Sequence, residues 1–156
     1  PIRKALEAAT DPENCDLVSR FEQFYFESED ILPQAADSLA LGDLELFGSL
    51  VDRSQELAEE LLGNQVAETA FLARTARRLG AFAASAFGAG FGGSVWALVE
   101  REEAQDWVED WAQIYSQHYA EAAARSDFMI THVGPSAVEL TNQDQSFLKL
   151  LPRQNQ

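Results

Sequence analysis

The chain has 156 residues, 46% of them hydrophobic and 24% charged, which is the composition of one ordinary folded domain rather than of a disordered segment. Acidic residues outnumber Lys and Arg by 26 to 11, leaving a net charge of −15, the wrong sign for neutralising nucleic-acid phosphates or an anionic membrane surface. No run approaches the roughly 20 apolar residues of a membrane helix, and the single cysteine, Cys15, allows no internal disulfide, which fits a cytoplasmic setting.

A short helix is predicted around Ile2 to Ala9. Asp11-Pro12-Glu13 then reads as a helix start, Asp being able to cap free amides and Pro being pre-set for a first turn. Leu17, Val18, Phe21, Phe24, Tyr25, Ile31 and Leu32 recur at helical spacing, and Ala35, Ala36 and Leu39 continue the stripe beyond Pro33, which should kink or split the helix. Leu41-Gly42-Asp43 is predicted to end this helix and cap the next. That one carries Leu44, Phe47, Leu50, Val51, Leu57, Ala58 and Leu61 to a break at Gly63-Asn64.

A third helix is expected from about Gln65 to Leu79. Arg74, Arg77 and Arg78 sit toward its carbonyl end, where cations complement the helix dipole, and Gly80 supplies a left-handed exit. The texture then changes. Ala81 to Phe87 and Ser94 to Val99 read as two buried strands separated by a glycine-rich turn. A long helix from about Glu102 to Ala124 comes next, with Trp107, Val108, Trp111, Ile114, Tyr115 and Tyr119 on one face. The Trp pair reads as core rather than as a partner-binding stripe, and Glu100 to Glu103 read as a solvated turn with acids at a helix start rather than as a metal site. Phe128 to Val133 is predicted to be a further strand, and Ala137 to Leu140 a short one. Beyond Thr141 a polar, partly frayed tail is expected. Helices followed by strand, loop, strand, helix and strand give an α+β fold, a small mainly antiparallel sheet packed against several helices.

Chemistry is concentrated in Gly88-Ala89-Gly90-Phe91-Gly92-Gly93-Ser94, where four of the chain's nine glycines lie within six residues. Glycine loses the most backbone entropy on folding, so such density is useful only where positive φ or a very close approach is needed. Successive amides in that geometry make a concave nest for anions. The letters satisfy G-x-G-x-x-G, yet a dinucleotide-binding loop opens a helix, whereas Ser94 to Val99 is strand-like. They also fit the protein-kinase glycine loop, but Trp96-Ala97-Leu98-Val99-Glu100 stands where V-A-I-K is required, and Asp127-Phe128-Met129 is not D-F-G. A plain ligand-free hairpin remains the alternative. His118, His132 and Cys15 have neither the spacing of a metal site nor a catalytic escort, so no catalytic and no metal-binding residue is assigned.

The stretch from Gly80-Ala81 through Ala84-Ser85-Ala86-Phe87-Gly88-Ala89-Gly90-Phe91-Gly92-Gly93-Ser94 to Val99 resembles the third conserved motif of the GHMP small-molecule kinases, most of all in its galactokinase version. Arg20 to Glu27 resembles the R-x-x-H-x-x-x-E helix of galactokinases, with Gln23 in place of His. Leu41-Gly42-Asp43, Phe47-Gly48, Leu50 and Ser54 fit its next helix, and Phe128 to Leu140 its closing strand region. The resemblance covers most of residues 1 to 140 and implies the C-terminal domain of a two-lobed kinase, of ferredoxin-like type, with residues 141–156 as a tail.

It also implies that ATP and Mg²⁺ serve an intact enzyme that phosphorylates a sugar. The phosphate loop and catalytic aspartate would belong to an N-terminal lobe not found in this sequence. Gly88 to Ser94 would support that lobe's nucleotide site. The start at Pro1, without Met or a signal pattern, fits a piece of a longer protein that is inactive on its own. Two departures bear on the substrate: Leu62 stands where galactokinases carry a tyrosine, and Ser94 where they carry a cysteine. A non-catalytic binding or sensor module of kinase-like fold, or a GHMP kinase of the mevalonate or homoserine type, are the competing readings.

Overall fold

The computed structural model describes residues 2–9 and 16–134. In chain order these form α1 (Ile2–Ala8), α2 (Leu17–Phe26), a π-helical turn (Glu27–Ile31), α3 (Leu32–Leu41), α4 (Leu44–Leu57), a second π-helical turn (Ala58–Leu62), α5 (Ala67–Arg78), β1 (Ala83–Phe87), β2 (Ser94–Leu98), α6 (Ala104–His118) and α7 (Ala120–Ala123). β1 and β2 pair antiparallel, Ala83 opposite Leu98 and Phe87 opposite Ser94. The architecture is therefore helix-rich α+β, as the order of elements implies. No described helix is long and apolar enough to cross a membrane.

A lone hairpin is marginal in water and needs a helix to cover it. Here α4 and α5 do so. Ala76 of α5, Ala81, Ala84 of β1 and Trp111 of α6 form one buried cluster, with Leu72, Leu79, Val95, Ala97, Trp107 and Phe128 packed around it. The two tryptophans lie in this core. Their ring centroids are 5.0 Å apart. Trp107 Nε1 donates to the Leu79 carbonyl at 3.0 Å and Trp111 Nε1 to that of Leu72 at 3.1 Å, so neither indole is left unpaired. Tyr115 is buried too, and loss of solvent pushes its phenol pKa up.

Helix ends form at the residues that suit them. Gly42 takes φ +73° and Asp43 accepts from the Leu46 amide at 3.0 Å, so one tripeptide stops α3 and caps α4. At the end of α5 the Gly80 amide donates to Arg77 O and the Ala81 amide to Ala76 O, both at 3.1 Å, with Gly80 at φ +91°. That is a Schellman closure, and it turns the chain straight into β1. Arg77 does more than complement the dipole. Its Nε donates to both Asp52 carboxylate oxygens at 2.9 and 3.0 Å, and its Nη1 donates to the carbonyls of Ala81 and Phe82. A single guanidinium thus ties α4, the end of α5 and the entry to β1. Close beside it, a methyl group on Gly48 would overlap the Phe82 carbonyl oxygen.

Four expectations need correction, and others fall outside the described residues. α2 is capped by Asp16, whose carboxylate accepts from the Val18 and Ser19 amides; the predicted start at Asp11 to Glu13 lies outside the described residues. The single apolar stripe along α2 and α3 does not hold. Ile31 is 4% exposed, but Phe24, Tyr25, Leu32 and Leu39 are 64%, 51%, 55% and 49% exposed. Between them the Leu32 amide reaches Glu27 O in an i→i+5 bond, and this wider turn rotates α3 out of the 3.6-residue register of α2. Pro33, without an amide to donate, stands just beyond that turn, so the expected interruption is a π-helical turn rather than a break.

The long helix after β2 is not continuous either. Tyr119 leaves helical geometry at φ −133°, with its ring edge-on to Phe71 of α5 at 5.3 Å, a tertiary contact that periodicity does not report. The predicted strand at Phe128 to Val133 carries no regular secondary structure and pairs with no strand among the described residues. Phe128 packs 5.2 Å from Trp111, while Met129 and Val133 are 77% and 92% exposed. The short strand at Ala137 to Leu140 and the tail 141–156 lie outside the described residues.

Candidate functional site

The hairpin that joins β1 to β2 stands open at the end of the sheet. Gly88, Gly90, Gly92 and Gly93 have φ of +94°, +87°, +110° and +100°, and Phe91 is the one described non-glycine residue with positive φ, at +59°. The four glycines therefore occupy backbone territory that side chains disfavour, which is the reason for their density. Phe91 accepts that strain with its ring 76% exposed. Gly88, Ala89 and Gly93 are exposed, and nothing lies within 4 Å of a methyl placed on Gly88, Gly92 or Gly93. The loop is not sealed into the domain's own interior.

Its inner side rests on the junction between α4 and α5. The second π-helical turn ends at Gly63, φ +63°, which delivers Asn64 to the loop. The Phe91 amide donates to the Asn64 backbone oxygen at 2.5 Å, and Asn64 Nδ2 donates to the Ala89 carbonyl at 3.2 Å. A methyl group at Gly90 would collide with that same Asn64. Close approach is thus the role of Gly90, and open curvature that of Gly88, Gly92 and Gly93. Asn64 is the site residue that sequence reasoning missed. Its only signal was a Gly-Asn pair at a helix end, which reads as punctuation.

All seven predicted residues, Gly88, Ala89, Gly90, Phe91, Gly92, Gly93 and Ser94, fall in this one hairpin, with Ser94 exposed at the first position of β2. Among the described residues no acceptor takes the amides of Ala89, Gly90, Gly92 or Gly93. Amide donors left over on an uncrowded backbone of this kind are the groups that an anion such as phosphate can use. No three His, Cys, Asp or Glu side chains converge among the described residues to hold a metal ion. Two shallow hollows, of about 480 and 560 Å³, lie instead around Asp52, Arg77 and Arg78. Their cations are already engaged: Arg77 as above, Arg78 with Thr75 Oγ1 at 2.9 Å, and Arg74, which lines the second hollow, with Glu59 at 2.5 Å. We therefore place the candidate site at the hairpin and not in these hollows.

Two further side chains, Glu27 of the kinase-like helix and Gln55 of α4, make structural hydrogen bonds. Glu27, within the first π-helical turn, accepts from Ser54 Oγ at 3.0 and 2.9 Å and so joins α4 to the segment before it. Gln55 is 5% exposed and accepts from Ser85 Oγ and the Ala86 amide, both at 2.9 Å, at a β1 whose one strand neighbour among the described residues is β2. The buried amide group thereby closes a strand edge.

Residues 35–117, more than half of the chain, match the family described as GHMP kinases C terminal. The chain belongs to that family. Among solved structures it is similar to galactokinase from Lactococcus lactis, whose structure contains galactose, with a TM-score of 0.63 and 25% identity over 76% of this chain. It spans 31% of that galactokinase chain. No curated protein matches it.

Proposed function

We propose that the chain acts as the C-terminal lobe of an ATP-dependent kinase of galactokinase type, and that Gly88 to Ser94 braces the nucleotide phosphate site formed with an N-terminal lobe. The observation that carries this reading is the hairpin itself: glycines at positive φ, amides with no acceptor among the described residues, and an inner side pinned to Asn64. Bare backbone lets a second phosphate-binding loop approach more closely than side chains would allow. ATP with Mg²⁺ supplies the phosphoryl group for transfer to a sugar hydroxyl. Such transfer depends on positioning and charge stabilisation more than on covalent chemistry, so both lobes are needed. This chain contributes donors and shape. Its charge of −15 argues for local amides rather than a cationic patch as the partner of the phosphates. A galactose acceptor is favoured by the likeness to a galactose-bound galactokinase, and a cytoplasmic setting for the complete enzyme is favoured by the single cysteine.

The test is ADP release from ATP in the presence of galactose, mevalonate or homoserine. It is run on residues 1–156 and on the complete product of the gene that carries them. The expected result is no turnover by the chain alone and galactose-dependent ADP release by the complete product. Turnover by the chain alone would refute the division of labour. A complete product that binds ATP yet phosphorylates no acceptor would establish a binding module instead.

A further inference from the structure

We propose that Asn64 is a positioning residue for the glycine hairpin, acting at the end of a hydrogen-bond relay anchored on the buried Thr69. Thr69, 3% exposed in the first turn of α5, donates through Oγ1 to Gln65 Oε1 at 2.9 Å. Gln65 Nε2 donates to Asn64 Oδ1 at 3.0 Å. Asn64 Nδ2 then donates to the Ala89 carbonyl at 3.2 Å, while its backbone oxygen takes the Phe91 amide. The Thr69 hydroxyl also lies 3.1 Å from the Val66 carbonyl, so its one proton is shared between two acceptors; from Gln65 onward the polarity runs one way, from the helix to the loop. Aligned bonds of this kind polarise one another, and a partly broken series loses more than one bond.

The loop has reason to need it. Gly88 to Gly93 holds five residues at positive φ, Phe91 among them without glycine's freedom. Four glycines with open space around three of them give the segment many alternative shapes. A non-glycine residue persists in the left-handed region only where its surroundings over-determine it. The surroundings here are Asn64: one bond on each side of Gly90, and a surface against Gly90 itself that leaves no room for a side chain. Removing the carboxamide frees the Ala89 side of the grip and breaks the relay from Thr69. The orientation of the loop amides then becomes one among several. The consequence for catalysis rests on the kinase reading above; the grip on the loop does not.

The experiment uses ¹⁵N-labelled chain. In Asn64→Ala, hydrogen exchange at the Phe91 amide is expected to accelerate about tenfold, the loss of roughly one net hydrogen bond. The Gly90 and Gly92 signals are expected to shift, while the indole N–H signals of Trp107 and Trp111, which report the core, stay in place. Asn64→Asp keeps the size and the acceptor toward Gln65 but cannot donate to Ala89, so it should loosen the loop as Asn64→Ala does. Unchanged Phe91 exchange in both variants overturns the proposal. So does loss of the indole pattern in both, which would make Asn64 a general folding residue. In the complete enzyme, Asn64→Asp should lower kcat about tenfold with KM for the sugar unaltered, as expected when positioning is lost without loss of uniform binding. A loosened loop with unaltered kcat would leave the grip standing and remove the loop from the phosphate site.

Discussion

Two halves of one hairpin are built from small residues for opposite reasons. In Ala81 to Ala84 smallness serves burial: Ala81, Ala83 and Ala84 are 0–1% exposed because α4, α5 and the Trp111 indole press onto them. In Gly88 to Gly93, a few residues further on, smallness serves backbone shape, and most of the segment is open to solvent. The first half resists any gain of volume. The second resists any gain of a β-carbon, even where there is space for one. Sequence composition treats both as small and apolar; the physics that selects them is packing in one and dihedral freedom in the other.

The sharpest way to break this contrast is from the core side. Trp111→Ala empties the centre of the cluster and leaves the Leu72 carbonyl without its donor, and should cost about 3–5 kcal/mol. Thermal or urea unfolding should register that loss, and a smaller loss than for an exposed aromatic such as Phe91→Ala would contradict the assignment of the core. Next comes the clamp. Arg77→Ala removes the donors to Asp52, Ala81 and Phe82 together, with an expected cost of roughly 1.5–3 kcal/mol for charged hydrogen bonds left unmade. Arg77→Lys should recover only part of it, because an ammonium cannot reproduce the fork. The smallest effect belongs to the loop. Gly92→Ala meets no atom within 4 Å, so its whole cost is that of φ +110° for an alanine, about 1–2 kcal/mol. Folding melts of this variant beside Ala84→Gly would separate dihedral cost from packing loss.

How much of the fold is legible in the sequence depends on how local each cause is. The cap at Gly42-Asp43, the Schellman exit at Gly80 and the core face carrying Trp107 and Trp111 depend on residues within one or two turns, and the structure shows each where the spacing puts it. The glycine hairpin is legible for the same reason. Its anchor is not, because Asn64 lies 25 residues before Ala89 and resembles an ordinary helix terminator. The stripe on α2 and α3 misleads because the π-helical turn at Glu27–Ile31 changes the register without any distinctive residue. The expected strand at Phe128 to Val133 has the right letters, but a strand is defined by its neighbour.

The sequence by itself determined the class of fold, the family likeness and the segment where positive φ is concentrated, since each of these is written in patterns a few residues long. Only the tertiary structure decided which residues hold that segment, that Arg77 serves the fold rather than a ligand, and that the hairpin faces outward. Those depend on distances between segments far apart in the chain, and periodicity carries no information about such distances.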